Sequence, residues 1–329
     1  MELNMRCRSC DGQRLGLILS LGRMPLANSY LTSEQLSRPE RLYPLDFVLC
    51  PDCTLVQITE TVPPEILFRE HLHFSSDSDA RRTHAPTAAD NVLAHVADLN
   101  GFVRGVALRL MDEGVVQFEV PYVKDLIDHV EFDTIHHEHL CYFSLTALDR
   151  LSHRHGLRLL DVERLPIHGG SLRVQFVRAA SHQRTRESVP TLLREETAWG
   201  VGRQEFYDSF ARRVEQLRAR LCLLLTDLRR KGKRIAAYGA AAKGSTLLNF
   251  CSLSRNTIEF VVDRNPHKQG RYMPGVRIPI LAPDQLLAQM PDYTLLLTWN
   301  FGDEILAQQA AYRQRGGKFI TPVPEPTIA

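Results

Sequence analysis

Two groups of side chains in this sequence have the types and the spacing to do chemistry. The first are cysteines. Cys7-Arg-Ser-Cys10 and Cys50-Pro-Asp-Cys53 are both C-x-x-C pairs. Two intervening residues let both sulfurs face one ion from a tight turn. Two such turns complete a tetrahedron, which suits zinc. Cys7, Cys10, Cys50 and Cys53 are therefore expected to hold a structural Zn2+, because four thiolates leave no open coordination position. The alternative is four unrelated buried or redox cysteines. Cys141, Cys222 and Cys251 stand alone and read as packing residues.

The second group is His136-His137-Glu138-His139, just after Asp133. Imidazoles that titrate near neutrality, with a carboxylate to orient them, suit proton abstraction beside a carbonyl. Two other readings compete. A metal site on His136, His137 and His139 would need adjacent residues to converge on one ion, and H-E-x-x-H spacing is absent. A solvated surface loop would do no chemistry. Further along, Gly239-Ala-Ala-Ala-Lys243-Gly244 puts small residues and a lysine at a helix N-terminus, a natural diphosphate site. Lys243, Asp263 and Asn300 are substrate-binding candidates, each at or just after the carboxyl end of a strand. The pattern is not G-x-G-x-x-G, which argues against a nicotinamide dinucleotide. In His168-Gly169-Gly170-Ser-Leu-Arg173 the glycines permit close backbone approach to a ligand that His168 and Arg173 would face. A plain turn into an edge strand is the alternative.

The elements that must position these residues form three segments. Leu45–Cys50 and Thr54–Ile58 read as strands flanking the second cysteine knuckle, a rubredoxin-like hairpin. So small a segment has too little core without a staple. In the middle, Gly101–Met111 and Leu145–His155 read as helices, the second capped by Gly156. Gly114–Val120, Leu157–Glu163 and Ser171–Val177 read as strands. From Arg184 to Lys231 the chain is charged and mostly helical. Phe206, Phe210, Val214, Leu217, Leu221, Leu224 and Leu228 form an apolar stripe that is core or a partner face. Strands over 234–238, 258–263, 294–300 and 317–321 alternate with helices, which implies a parallel, covered sheet. The fold class is α/β: a small four-cysteine zinc module over 1–66, a middle segment over 67–180 whose strand, helix, strand and antiparallel return strand resemble the closing half of a class I methyltransferase sheet, and a helical connector plus parallel Rossmann-like α/β domain over 181–329.

Composition narrows the partners. A net charge of +2 gives no general attraction to nucleic acid or membrane. The longest apolar runs fall well short of the ~20 residues of a membrane span. Met1–Leu21 carries cysteine and charge where a secretory signal has an apolar core. Paired cysteines with a metal role fit a reducing compartment. The expectation is a cytoplasmic monomer or dimer with no nucleic acid and no membrane partner.

Several blocks resemble one family. Asn91-Val-Leu-Ala-His95-Val-Ala-Asp98, Phe132-Asp-Thr-Ile-His-His-Glu-His-Leu-Cys-Tyr-Phe-Ser144 and Ile167-His-Gly-Gly-Ser-Leu-Arg173 look like the signature blocks of the nucleotide-sugar C-methyltransferases. The cysteine module and the C-terminal segment match that family in the same order. The resemblance implies transfer of a methyl group from S-adenosylmethionine to a carbon of a nucleotide-linked 4-keto-6-deoxy sugar, in deoxysugar or polysaccharide biosynthesis. His139 would be the base and Glu138 its orienting or proton-relaying partner, with His136 and His137 completing the catalytic set. Asn91, His95 and Glu119 would lie on the cofactor side. His168, Gly169, Gly170, Arg173, Lys243, Asp263 and Asn300 would hold the nucleotide-diphosphate sugar, thymidine-linked forms being favoured.

This sequence departs from the family in three places. The residue before His137 is usually Tyr there and is His136 here. His71 and His73 stand in a Tyr-rich region. Ser78 and Asn91 are separated by only twelve residues, without an apolar strand or a glycine. The family there places a strand, an acidic Gly-rich turn and a second strand, which together cradle S-adenosylmethionine. At roughly 30 residues per βαβ unit, two to three units are gone, leaving about three strands and an open edge. Donor binding is therefore expected to be impaired. Two alternatives follow: an inactive nucleotide-sugar-binding relic, or a keto-sugar epimerase or isomerase that uses enolisation alone.

Overall fold

The computed structural model describes residues 5–67, 92–167 and 169–329. His71, His73, Ser78, Asn91 and His168 lie outside the described residues, as does the shortened stretch between Ser78 and Asn91.

The zinc hairpin forms as expected and recruits two further strands. Gly16–Met24 (β1), Tyr43–Leu49 (β2) and Val56–Ile58 (β3) are consecutive antiparallel neighbours. Next come the helices Val92–His95 (α1) and Leu99–Arg109 (α2), and the strand Val116–Pro121 (β4). Helix Val123–Asp128 (α3) and the two-residue strand Cys141–Tyr142 (β5) follow. β5 completes the first sheet by pairing with β3, Val56 opposite Tyr142 and Gln57 opposite Cys141. The strand that follows the histidine motif is thus hydrogen-bonded to the zinc hairpin.

Helix Leu145–Arg154 (α4) and strands Leu157–Leu165 (β6) and Ser171–Arg178 (β7) complete the middle segment. Its sheet has the order β4-β7-β6, and both pairings are antiparallel. β4 and β6 therefore run parallel to each other, with the return strand between them. This is the closing half expected from the strand pattern. Alternate residues Phe118, Val120, Leu172, Val174 and Phe176 are buried on the core side. Among the described residues β4 pairs only with β7.

The long helical stretch divides into Ser188–Trp199 (α5) and Gln204–Arg230 (α6). Gly200 ends the first with φ of 76°, a left-handed conformation that favours glycine. The buried stripe of α6 is Tyr207, Phe210, Val214, Leu217, Leu221, Leu225 and Leu228. Phe206 and Leu224, expected in it, are half-buried and yield their places to neighbours one residue on. The stripe is covered within the chain and is core.

The C-terminal sheet runs Ile235–Tyr238 (β8), Val261–Val262 (β9), Ile280–Leu281 (β10), Tyr293–Leu296 (β11), Lys318–Thr321 (β12) and Thr327–Ile328 (β13). Helix Ala242–Phe250 (α7) follows β8. The order β10-β9-β8-β11-β12-β13 is parallel except for β13. Renumbered from β8 it is 3-2-1-4-5-6, the dinucleotide-fold order, whose crevice opens where the order reverses between β8 and β11. Gly239 makes the turn out of β8 with φ of 95°, where a Cβ would collide with Thr298. No described helix is long and apolar enough to cross a membrane.

One buried carboxylate ties α5 to α4. Glu196, fully buried, accepts hydrogen bonds from the Tyr122 hydroxyl at 2.9 Å and from the backbone N–H groups of Leu145 and Thr146 at 2.8 Å each. It satisfies donors at the start of α4 that the helix cannot satisfy itself. Glu196→Ala is expected to cost about 3 kcal/mol by stranding those donors. Urea unfolding followed by circular dichroism measures this, and a loss under about 0.5 kcal/mol would contradict it.

Candidate active site and metal centre

The two cysteine knuckles are near copies. The N–H of Asp11 bonds the Cys7 carbonyl at 2.9 Å, and that of Thr54 bonds the Cys50 carbonyl at 2.8 Å. Asp11 and Thr54, each one residue past its knuckle, have φ of 61° and 64°. The sulfurs face one another across the pairs, Cys7 to Cys53 at 3.4 Å and Cys10 to Cys50 at 3.5 Å. All four lie within 4.8 Å of one another. Tetrahedral zinc with sulfur at ~2.3 Å needs separations of roughly 3.8 Å, so the four thiolates fit the ion. Donation from Cys7 and neighbouring groups holds Cys53 down to about 5, which favours a thiolate there. Asn100 of α2 donates to the Arg8 carbonyl at 3.0 Å, and Arg150 of α4 donates to the Asp52 carbonyl at 3.1 Å. Both knuckles are therefore clamped by the middle segment.

The histidine motif is a turn closed by the His139 N–H bonding the His136 carbonyl at 3.0 Å. It brings the rings of His136 and His139 together and sends His137 and Glu138 to other partners. His137 is buried, with Nε2 3.1 Å from the Pro44 carbonyl and its ring edge-on to Tyr43. His136 is buried, and its ring faces that of His139 at 4.2 Å between centroids. His139 is half-buried, the most open of the four. Glu138, 7% exposed, accepts from Asn28 Nδ2 at 2.6 Å. Burial pushes its carboxyl up to about 7, against the opposing pull of the Asn28 amide and the Lys268 charge. So buried a turn is not a solvated loop. Among the described residues only the four cysteines converge as metal ligands, so the histidines form no metal group.

In the C-terminal crevice, Lys243 Nζ donates to Asn300 Oδ1 at 2.8 Å and lies 4.2 Å from the Trp299 ring centroid. The expected pair is thus brought together. Asn300 sits in a 3-10 turn past β11, not within the strand. Asp263 is committed to the backbone: its oxygens accept from the N–H groups of Ala240 at 2.7 Å and Asn265 at 2.8 Å. Arg173 is directed elsewhere, paired along the sheet with Glu163 at 2.9 Å and Glu119 at 3.5 Å. Gly169 and Gly170 do permit a close approach, but to this chain's own carboxylates. A Cβ on either would strike Glu131 or Asp125.

Sequence reasoning missed the groups behind Lys243. Asp133, fully buried, accepts from Trp299 Nε1 at 2.8 Å, and Glu131 is buried nearby. Desolvation raises both carboxyls and lowers Lys243, while mutual attraction opposes the shifts. One cavity, of about 640 Å³, adjoins neither this cluster nor the histidine turn. It lies at the far end of α7 and is lined by Arg23, Glu40, Arg218, Asn249, Phe250 and Arg277.

Family comparisons agree with this arrangement. Residues 166–324 match a family described as the C-methyltransferase C-terminal domain. Residues 7–68 match a zinc binding domain. C-methyltransferase NovU of Streptomyces niveus is 31% identical, the match covering 98% of this chain and 96% of NovU. The chain belongs to the C-methyltransferase family. That match runs over 403 positions against a chain of 329 residues, so at least 74 of them (403 minus 329) have no counterpart here.

Two residues expected on the methyl-donor side bond to other partners within this chain. His95 Nδ1 bonds the Glu138 carbonyl at 2.7 Å, and its ring packs on His139 at 4.8 Å. Glu119 is buried in β4 against Arg173.

Zinc analysis should find about one ion per chain. Chelation, or Cys50→Ser, is expected to lower the unfolding temperature by several degrees or more, roughly 4–8 °C per 1 kcal/mol on a small-domain scale. A melting curve indifferent to chelator would remove the metal from the structure.

Proposed function

We propose that this chain acts on a nucleotide-linked 4-keto-6-deoxy sugar, thymidine-linked by preference, and that it retains the enolising half of sugar C-methylation. In this reading His139 takes the proton from the carbon beside the ketone. The electron pair moves onto the ketone oxygen, where His136 stands as donor. Glu138 orients His139 and relays its proton, and His137 holds the turn against the zinc hairpin. Lys243 and Asn300 hold the diphosphate at the N-terminus of α7, with Asp263 supporting the loop that carries them. The observation that carries the reading is the buried Glu138 beside a half-exposed His139, on a turn held between the zinc hairpin and the dinucleotide-type domain.

S-adenosylmethionine supplies the electrophilic methyl group to such enzymes when bound. We propose that this chain's grip on it is impaired. The unmatched positions against NovU and the committed His95 and Glu119 support that view. They fit a plain nucleotide-sugar-binding relic as well, whereas the retained Glu138, His139 and Lys243 favour a second reading, a keto-sugar epimerase or isomerase that stops at enolisation. The three units proposed, 1–66, 67–180 and 181–329, act together in either case. Four cysteines gathered as metal ligands, with none of the seven in a disulfide, fit a cytoplasmic setting.

Incubation of the sugar nucleotide in deuterium oxide should label the carbon beside the ketone. His139→Ala should slow labelling by at least about 100-fold while leaving sugar-nucleotide binding nearly unchanged. Labelling that persists in the variant would disqualify His139 as the base. Calorimetry with S-adenosylmethionine should detect no binding tighter than about 1 mM. A saturable donor isotherm would restore full methyl transfer.

A further inference from the structure

The catalytic turn receives a side chain from a segment that neither motif includes. Asn28 lies between β1 and β2, in the zinc-bearing module, 110 residues from the Glu138 it contacts. It is 8% exposed and donates Nδ2 to Glu138 Oε1 at 2.6 Å. Tyr30, nearly fully buried, secures it from behind. The Tyr30 hydroxyl lies 3.1 Å from Asn28 Oδ1 and 2.6 Å from the Ala240 carbonyl in the turn out of β8. Lys268 donates to the same carbonyl at 2.7 Å and stands 5.2 Å from the Tyr30 ring centroid. A line of contacts thus runs from Glu138 through Asn28 and Tyr30 to the crevice of the C-terminal sheet.

We infer that Asn28 is a positioning residue that holds the Glu138 carboxylate in its working orientation and favours its ionised form. A buried carboxylate in an apolar setting takes up a proton unless donors meet it. The Asn28 amide is such a donor, neutral and fixed by its own partners, so it favours the anion without cancelling its charge. Lys268 adds a more distant positive charge. Among the described residues the other titratable groups around the turn are His136, His137 and His139 within it, His95 on α1, Tyr30, Tyr43 on β2, Tyr142 on β5, and Asp263 just past β9. His95 meets the backbone carbonyl of Glu138, not its carboxylate. Contact with Asn28 then explains why the segment linking the zinc knuckles carries buried polar side chains. It completes the site.

This inference rests on the proposed role of Glu138, and two readouts separate the two. The first is the carboxyl 13C titration of Glu138, assigned by comparison with Glu138→Gln, in the zinc-loaded full chain. Glu138 is pushed up to about 7 in the native chain. Asn28→Ala should move its midpoint up by about one unit. Asn28→Asp, which sets a second carboxylate against it, should move it further. The second readout is the pH profile of deuterium labelling. Glu138 works as the anion, so labelling should rise with pH through its midpoint, and each variant should shift that rise upward by the same amount. A role in packing alone would depress labelling at every pH and leave both midpoints in place, which would overturn the inference. If the native chain does not label at all, enolisation falls, and the 13C titration still decides the Asn28 contact. If Asn28→Ala does not fold, Asn28→Ser carries the same comparison.

Discussion

The burial of one charged turn governs the architecture around it. Glu138 and the histidines beside it need a low-dielectric setting, and a carboxylate placed there needs donors. No single segment supplies both. Asn28 comes from the zinc-bearing module, the turn from the middle segment, and the Tyr30 anchor at Ala240 from the C-terminal sheet. Each contact costs little alone, but together they require the three segments to be docked before the site exists. Further bonds keep them docked. Ser245 of α7 donates to the Ala27 carbonyl at 2.7 Å, and Thr246 to that of Ile135 at 3.2 Å. Arg277 donates to the carbonyls of Leu36 at 2.7 Å and Arg38 at 2.9 Å.

Zinc belongs to the same constraint. The four thiolates fix two knuckles, the knuckles fix β2 and β3, and β3 carries β5 by strand pairing. β5 begins two residues after His139. A structural ion with no free coordination position therefore reaches the histidine turn through the backbone. The clamps from Asn100 and Arg150 close the path from the other side. The segment from Gly16 to Leu49 between the cysteine pairs is not mere spacer. It forms β1 and β2 and delivers Asn28.

Lys243 shows a second buried balance. A cation at the start of α7, set before two buried carboxylates and an indole, is held by attraction and disfavoured by desolvation at once. Such a balance suits a group that meets a diphosphate, because an arriving anion relieves the desolvation penalty. Lys243 differs from Arg173 in place, since it stands at the start of α7 beside the crevice while Arg173 pairs with Glu163 and Glu119 along a sheet. Basic residues equal in sequence terms differ in what the fold leaves them to do.

Much of this was legible in the residues themselves. The C-x-x-C pairs specified their knuckles because two sulfurs on one turn are a local matter. The period-2 strands over 157–177 and the alternation of strand and helix after 234 specified the middle and C-terminal sheets. The 3.6-residue stripe of α6 was read correctly in extent and off by one residue at two positions, since tertiary contacts choose which flank faces inward. The histidine motif was recognisable because its four members are consecutive. Other features could not be read. Asn28 meets Glu138 across 110 residues, and Asp133 meets Trp299 across 166. β5 is too short to announce itself and exists only because β3 offers it an edge. Glu196 looks like any charged residue on a helix until α4 starts against it. Local geometry follows from neighbours in the chain. Burial, and the partners that make buried charge tolerable, come only from folding distant segments together.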